Sequence, residues 1–293
     1  MVLKLKICAG QRRRGSIPSL LILTFAVSLL ANPAEGQQPG ESYQAPRLPG
    51  TQNPNLNGIW QALTTANWDI LGDTSQPAPF PELIGAWGVQ PSGPGIVEGN
   101  EIPYRPEALA KKRANFESRL TIDPQNIHES GDPEAKCFLP GVPRAMYQPY
   151  PFQILHTSEK ILMAFEFASA SRVIELTNHA EAPVTNWMGW SNGSWDQDTL
   201  VVDVTAFNGL AWLDRSGNFA GENLHVVERY TLSSPYHIQY EATIEDPDTF
   251  TRPWTISFPL YRRMEENVEL LDMKCVEFTE DYLYGTLTKE TSR

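Results

Sequence analysis

A long stretch of alternating apolar and polar residues, between positions 189 and 263, constrains the fold more than any other feature of this chain. It contains the runs TLVVDVTAF (199–207), LHVVERYTL (224–232) and HIQYEATIED (237–246), which turn-forming residues separate. A period of two puts the apolar side chains on one face of a strand, and such runs joined by turns are typical of antiparallel β-sheet. Five further runs predict strands, at 152–157, 160–168, 171–177, 253–262 and 268–278.

The number and spacing of these strands predict an all-β fold. Eight short strands with one convincing helix, at 106–120, are typical of an antiparallel, lipocalin-like barrel or a curved sandwich of about eight to ten strands. The helix is indicated by Pro106 and Glu107 in its first turn and by good helix formers after them. Since there is no βαβ alternation and no glycine-rich phosphate loop, nucleotide chemistry on a parallel sheet is disfavoured.

The segments between the predicted strands define the domain organisation. Residues 37–57 are rich in Pro, Gly, Gln and Asn, which predicts an irregular leader. Residues 58–293 then form a single barrel-like domain that includes a Pro/Gly-rich arm and the helix. Within it, CFLPGVPR (137–144) predicts a rigid turn, Asn192-Gly193-Ser194 predicts a tight turn, and Asp214 is predicted to cap the amides of its own turn.

The first 36 residues have the order of parts of a secretory signal peptide. Five Lys or Arg residues precede an apolar run at 17–31, and small residues follow at Ala31, Ala34 and Gly36. The apolar run is shorter than the roughly 20 residues that a spanning helix needs. We therefore expect a secreted or periplasmic protein with no stable membrane span after cleavage of residues 1–36.

The charge balance of the chain argues against nucleic acid as a partner. The chain has 23 Lys and Arg and 35 Asp and Glu residues, of which the first 36 residues hold five and one. Cleavage therefore leaves 18 basic and 34 acidic residues and a net charge of −16. Such a surface repels phosphate backbones. The charge predicts neither a partner nor an oligomeric state.

The two cysteines that remain after cleavage, Cys137 and Cys275, leave two alternatives open. In an oxidising compartment they form one disulfide, or they remain as two buried thiols. Without a nearby histidine cluster they do not predict a zinc site, and IEDPDTF (244–250) lacks the spacing of a calcium loop. We therefore predict no metal and no cofactor.

Strand parity predicts that several polar side chains enter the apolar interior. Glu228 shares a face with Val226 and Tyr230, and the same argument turns Arg172 and His156 inward, together with Arg262 and Asp246 at strand ends. A buried charge costs several kcal/mol unless it is paired. Each of these residues therefore belongs to a buried ion pair, is turned outward by a bulge, or lines a cavity.

Three functions are compatible with such an interior. The first is binding of a small, largely apolar or amphipathic molecule in the barrel, and the residues expected to contact it are Arg172, Arg262, Asp246, Tyr240 and Trp254. The second is a cofactor-independent enzyme (hydrolase, lyase or isomerase), in which Glu228, or His156 oriented by a carboxylate, acts as general acid or base. The third is a structural envelope protein with a filled core and no ligand.

Two resemblances support this picture. The runs GSWDQDTLVVDVTAFN, LHVVERYTL and YEATIEDPDTFTRPW resemble a family of exported, β-rich bacterial proteins without established catalytic residues. That resemblance implies export and a β-rich fold but no reaction. The pattern Gly58-x-Trp60 at the start of the first strand resembles the lipocalins and related calycin barrels, in which the tryptophan closes one end of the barrel.

Overall fold

The computed structural model describes residues 43–72, 76–77, 89–90, 93–119 and 131–276. The predicted signal peptide, the first part of the leader (37–42) and the last two residues of the predicted strand 268–278 lie outside the described residues.

Nine strands form a closed barrel, which confirms the predicted all-β barrel fold. Two further short strands pair with each other outside the barrel. In chain order the strands are β1 Gly58–Ala62, β2 Gln76–Pro77, β3 Val89–Gln90, β4 Phe152–His156, β5 Lys160–Phe165, β6 Ser171–Glu175, β7 Trp190–Asp196, β8 Thr199–Thr205, β9 His225–Ser234, β10 His237–Glu245 and β11 Trp254–Arg262. Around the barrel the order is β1-β11-β10-β9-β8-β7-β6-β5-β4, and β4 pairs with β1 to close it.

The sequence predicts an antiparallel barrel, and this prediction is wrong for one pair of strands. Eight of its nine strand pairs are antiparallel, but β6 and β7 are parallel and pair only at Ile174 with Ser191 and at Glu175 with Asn192. Parallel neighbours need a crossover connection, and residues 176–189 provide it. Because this crossover contains no helix, the sequence shows no βαβ pattern that would indicate a parallel pair.

The predicted turn at Asn192-Gly193-Ser194 is wrong, because these residues lie in the middle of β7. Glycine is needed there for close packing. A Cβ atom at position 193 would lie 2.6 Å from Cγ2 of Ile174 and 2.8 Å from Cδ2 of Leu176. The glycine therefore serves the approach of β6 and its connection to β7, although in sequence it has the appearance of a turn former.

The predicted strand at 268–278 is also wrong as far as it is described, because residues 268–276 have no regular structure. The pairing of β1 with both β4 and β11 closes the barrel and leaves it no free edge for another strand. The predicted helix is confirmed as α1 Pro106–Ser118. Its one buried residue, Ala108, packs with Trp212 and Phe219.

A disulfide joins Cys137 to Cys275, with 5.4 Å between the two Cα atoms. It attaches the irregular C-terminal segment to the 3₁₀ turn Glu134–Lys136. No helix among the described residues has the length and apolarity needed to cross a membrane.

Candidate functional site

Glu228 lies in the barrel interior, as strand parity predicted, and forms a two-bond ion pair there. Its side chain extends inward from β9 and is 0% exposed. Arg172, from β6, donates from Nη1 to Oε1 at 3.1 Å and from Nη2 to Oε2 at 2.6 Å. This fork geometry is the one in which arginine binds a carboxylate best.

Two tyrosines complete the hydrogen bonding of this carboxylate. Tyr230, two residues along β9 on the same face, donates to Oε1 at 2.8 Å, and Tyr240, opposite Tyr230 on β10, donates to the same oxygen at 2.9 Å. Burial and the adjacent Glu228 charge raise the pKa of both phenols well above the usual value. Burial alone would lower the pKa of Arg172, but the Glu228 carboxylate outweighs it, so the net shift is upward.

The Glu228 carboxylate is inaccessible to solvent in this structure. Every member of this cluster is buried, and Glu228, Tyr230 and Tyr240 are all 0% exposed, so they border no space that a water molecule could enter. A general base must reach the proton that it removes. In this conformation Glu228 reaches only its three protein partners, so the geometry is that of a buried ion pair with its hydrogen bonds satisfied.

His156, the other predicted acid or base, has a different environment. It ends β4, is 6% exposed and stacks on Trp195 with 5.5 Å between ring centroids. Within the described part of the chain neither ring nitrogen has a hydrogen-bond partner, so the carboxylate expected to orient the ring is not found there. Burial lowers the pKa of His156 to about 4. The imidazole is therefore neutral at pH 7 and has one free donor and one free acceptor.

Other polar atoms without partners lie on the inner face of β6 and β7. They are Nε of Arg172, Oγ of Ser191 and Nε1 of Trp195, again counting described residues only. Ser191 and Trp195 share a face with Gly193 between them, and Ser191 pairs with Ile174 on β6. We call His156, Arg172, Ser191 and Trp195 the inner polar group. The sequence gives no sign of Ser191 as a site residue, and it marks Trp195 only as one of several tryptophans that could line a cavity, because the pattern of β7 does not predict a strand.

Arg262 lies at the end of the barrel and away from Glu228. Its guanidinium stacks 4.1 Å from the ring centroid of Trp60 and donates to the carbonyl oxygens of Asn57 and Pro235. Trp60 is fully buried and donates from Nε1 to the carbonyl of Leu56. Burial lowers the pKa of Arg262. The structure therefore places this residue over Trp60, where it holds the start of β1.

Asp246 and Trp254 lie near the opposite end of the barrel. Asp246 follows β10 and accepts hydrogen bonds from Thr249 Oγ1 and the Gly221 amide, both at 2.6 Å. Trp254 begins β11, is 3% exposed and packs edge-on against Phe250. The contacts of Asp246 organise its own loop, so the structure brings neither residue to Glu228.

A second buried ionic network, which sequence analysis missed, lies outside the barrel strands. Arg144 is 1% exposed and donates to both Asp132 oxygens, at 2.9 and 2.8 Å, and to Asn67 at 2.8 Å. Glu134 accepts from Arg144 at 3.3 Å and from Arg215 at 2.9 Å. Glu134 and Arg144 begin short 3₁₀ turns and the other members lie between regular elements, so strand parity could not find them. The only signal was a single arginine in the apolar run GVPRAMY (141–147).

Asp214 lies beside this network, and its predicted capping role is confirmed. It is 0% exposed and accepts hydrogen bonds from the amides of Ile70 and Asn218, both at 3.0 Å. Burial, followed by the charge of Asp69, raises the pKa of Asp214 to about 7.

Over the described ranges, no group of three or more His, Cys, Asp or Glu residues is arranged to hold a metal ion. Comparisons of the chain with known protein families, with curated proteins and with solved structures find no match.

Proposed function

We propose that this protein binds a small, largely apolar molecule inside its barrel, against the inner polar group. One observation carries the proposal. His156 is nearly completely buried, has no hydrogen-bond partner among the described residues and lies flat against Trp195.

A ligand at this place would relieve a physical cost. A buried polar atom left without a partner costs about 1–3 kcal/mol. The neutral His156 ring, Ser191 Oγ and Trp195 Nε1 offer both donors and an acceptor within an otherwise apolar wall. Ligand sites typically combine apolar and aromatic walls with a few polar groups that fix orientation. The fitting ligand is therefore apolar over most of its surface and has one hydrogen-bonding group.

The remaining residues favour binding over catalysis. The Glu228 carboxylate is committed to Arg172 and two tyrosines, and His156 has no orienting carboxylate in the described chain. Triad-like catalysis needs a base held in place by a third group. The Arg172–Glu228 ion pair is buried and hydrogen-bonded as in the filled-core alternative, so in this proposal it supports the barrel. The ligand contacts His156, Ser191, Trp195 and the one guanidinium nitrogen of Arg172, Nε, that Glu228 leaves unpaired.

The disulfide supports the location that we propose, which is secreted or periplasmic. Disulfides form and persist in oxidising compartments and are rare in the cytosol. The joined pair Cys137 and Cys275 therefore agrees with export directed by residues 1–36.

The test is titration with N-phenyl-1-naphthylamine, an apolar fluorophore with a single N–H donor. We expect saturable binding with a blue-shifted emission, and at least tenfold weaker binding to the His156→Leu variant. His237→Gln is the matched control, because His237 lies on the outer side of β10 and bonds to Ser234. The absence of saturable binding, or equal affinities of the wild type and His156→Leu, would contradict the proposal.

A further inference from the structure

The pairing between β6 and β7 is the weakest ladder of the barrel. These strands share two residue pairs, whereas β9 and β10 share nine and β10 and β11 share eight. Parallel pairing is also slightly less stable per residue than antiparallel pairing. We call the boundary between Arg172–Glu175 on β6 and Trp190–Asn192 on β7 the seam.

At Gly193, side-chain packing across the seam comes from the β6 side, where Ile174 and Leu176 lie against the glycine. Gly193, the next inward position on β7, contributes no side chain, and a Cβ there would collide with Ile174 and Leu176. The two other short ladders, those of β1 with β4 and with β11, have three pairs each, but further bonds reinforce them. Beside β11, Arg263 donates its amide to the Ile59 carbonyl, and Arg262 donates to the Asn57 carbonyl. Beside β4, the His156 amide donates to Oδ1 of Asn57 at 2.7 Å.

Polar atoms without partners concentrate at the seam. Of the buried side-chain atoms that lack a hydrogen bond in the described chain, five belong to the residues of the seam. They are Nε of Arg172, Oε2 of Glu175, Nε1 of Trp190, Oγ of Ser191 and Oδ1 of Asn192. Because each unpaired atom is costly when shielded from water, the closed seam is less favourable than the rest of the wall. Opening would hydrate these atoms.

The crossover covers the seam and is itself weakly held there. Residues 179–181 and 183–185 are exposed. Two hydrogen bonds connect this part of the crossover to β7, from His179 Nε2 to the Gly193 carbonyl at 2.8 Å and from Asn192 Nδ2 to the Ala180 carbonyl at 3.2 Å. Movement of residues 179–185 therefore requires the loss of few hydrogen bonds, whereas the end of the crossover stays attached where Asn186 bonds to Ala206 and Asn208.

We propose that the seam is the portal through which a ligand reaches the inner polar group. His156, Arg172 and Ser191 are buried in the closed barrel, and only Trp195 is half-buried, so a ligand needs an opening to reach them. Two members of the inner polar group, Arg172 and Ser191, lie on the seam itself. The portal opens when residues 179–185 of the crossover move away from β7 and the two residue pairs between β6 and β7 separate. The role in ligand entry rests on the proposed binding function, whereas the opening does not.

The test uses a covalent lock across the seam. Glu175→Cys and Asn192→Cys replace a directly paired position, and the native disulfide leaves no other free thiol among the described residues. The control lock joins Thr231→Cys to Gln239→Cys, a direct pair between β9 and β10. We expect the seam lock to slow N-phenyl-1-naphthylamine association at least tenfold in stopped flow, with little change in Kd. The control lock should change neither.

Hydrogen exchange separates failure of the portal from failure of the binding proposal. In the unlocked protein without ligand, those amides of Ile174, Glu175, Ser191 and Asn192 that donate across the seam should exchange at least tenfold faster than the paired amides of β9 and β10. The seam lock should remove that difference. Seam amides protected as well as those of β9 and β10, or association unaffected by the seam lock, would overturn the portal. If the probe does not bind at all, the binding proposal fails and the exchange rates alone decide whether the seam opens.

Discussion

Arg172 and Glu228, which lie 56 positions apart in the chain, meet through two hydrogen bonds inside the barrel. Their strands, β6 and β9, are not neighbours in the sheet, so the pair spans the interior and does not follow one ladder. The bond between them holds the side of the barrel that contains the seam to the long β9–β10 ladder.

The first prediction concerns this ion pair. Glu228→Gln should lower the free energy of unfolding by about 3–5 kcal/mol, because it leaves the Arg172 charge buried without a counter-ion. Adding Arg172→Met should recover much of that loss, since replacing both charges of a buried pair is often nearly neutral. Urea denaturation of the two single variants and the double variant measures the coupling.

The control for this cycle is an exposed pair. Asp196→Asn removes a partner of Arg229 on the outer surface, where both side chains are at least 40% exposed, and should cost less than about 1 kcal/mol. If Glu228→Gln is no more destabilising than Asp196→Asn, the carboxylate is not the buried counter-ion described here.

The disulfide gives a second prediction. Cys137→Ser combined with Cys275→Ser should destabilise the protein by about 2–4 kcal/mol, because the bond closes a loop of 138 positions in the unfolded chain. The loss should stay below the roughly 5 kcal/mol of the chain-entropy model for so long a loop. The reason is that residues 264–276 are irregular and mostly exposed, and they gain freedom in the folded variant too. Thermal unfolding with and without reductant measures the effect: reductant should lower the Tm of the wild type and leave the variant unchanged.

Parity along single strands predicted the inward direction of Glu228, Arg172 and His156 correctly, because burial of one face fixes that direction. The partners of these residues could not be predicted. The pairing of Arg172 with Glu228 depends on which strands face each other across the barrel, and a strand-by-strand pattern does not contain that information. Parity could not predict the contacts of Asp246 and Arg262. Both residues lie where strands end, and there contacts with loops decide the orientation of the side chain.

The fold features that sequence analysis missed have a common cause. β7 contains Asn, Gly and Ser in a row, and it is a strand because β8 pairs with it at seven positions and Gly193 admits Ile174. Segment 268–276 alternates in sequence but finds no edge to join. Tertiary context therefore makes a strand of β7, whose local pattern does not predict one, and leaves 268–276 irregular although its pattern does. The Arg144 network could not be predicted for another reason, since its members lie outside the strands, in loops and short 3₁₀ turns.

His156 gives a prediction on acid stability. Its pKa is about 4 in the folded protein and about 6.5 in an unfolded chain, so the unfolded state takes up the proton first as the pH falls. The stabilisation from the neutral ring is complete above pH 6.5 and is lost as the pH falls to about 4. The loss amounts to about 3 kcal/mol.

Replacing His156 by Phe should remove this component, so the wild type should lose more stability than the variant between pH 7 and pH 4. Equal losses would show that the ring is accessible to protons. His237→Gln, on the outer side of β10, should behave as the wild type.

Asp214 should show the opposite dependence. Its pKa is raised from 3.8 to about 7, first by burial and then by Asp69, so the folded state keeps a proton that the unfolded chain loses. Stability from the protonated carboxyl is complete below about pH 4 and is lost as the pH rises through 7.

Asp214→Asn cannot ionise, but it also has only one oxygen for the amides of Ile70 and Asn218, which adds a cost that does not vary with pH. The difference in unfolding free energy between variant and wild type should therefore shift in favour of the variant by about 2–4 kcal/mol between pH 4 and pH 8. Urea denaturation across this range measures that slope, with Asp196→Asn as the control, because Asp196 is exposed and pairs with Arg229 and not with a histidine. A difference that stays constant from pH 4 to pH 8 would mean that Asp214 is ionised throughout, with its charge balanced by the amides that it caps.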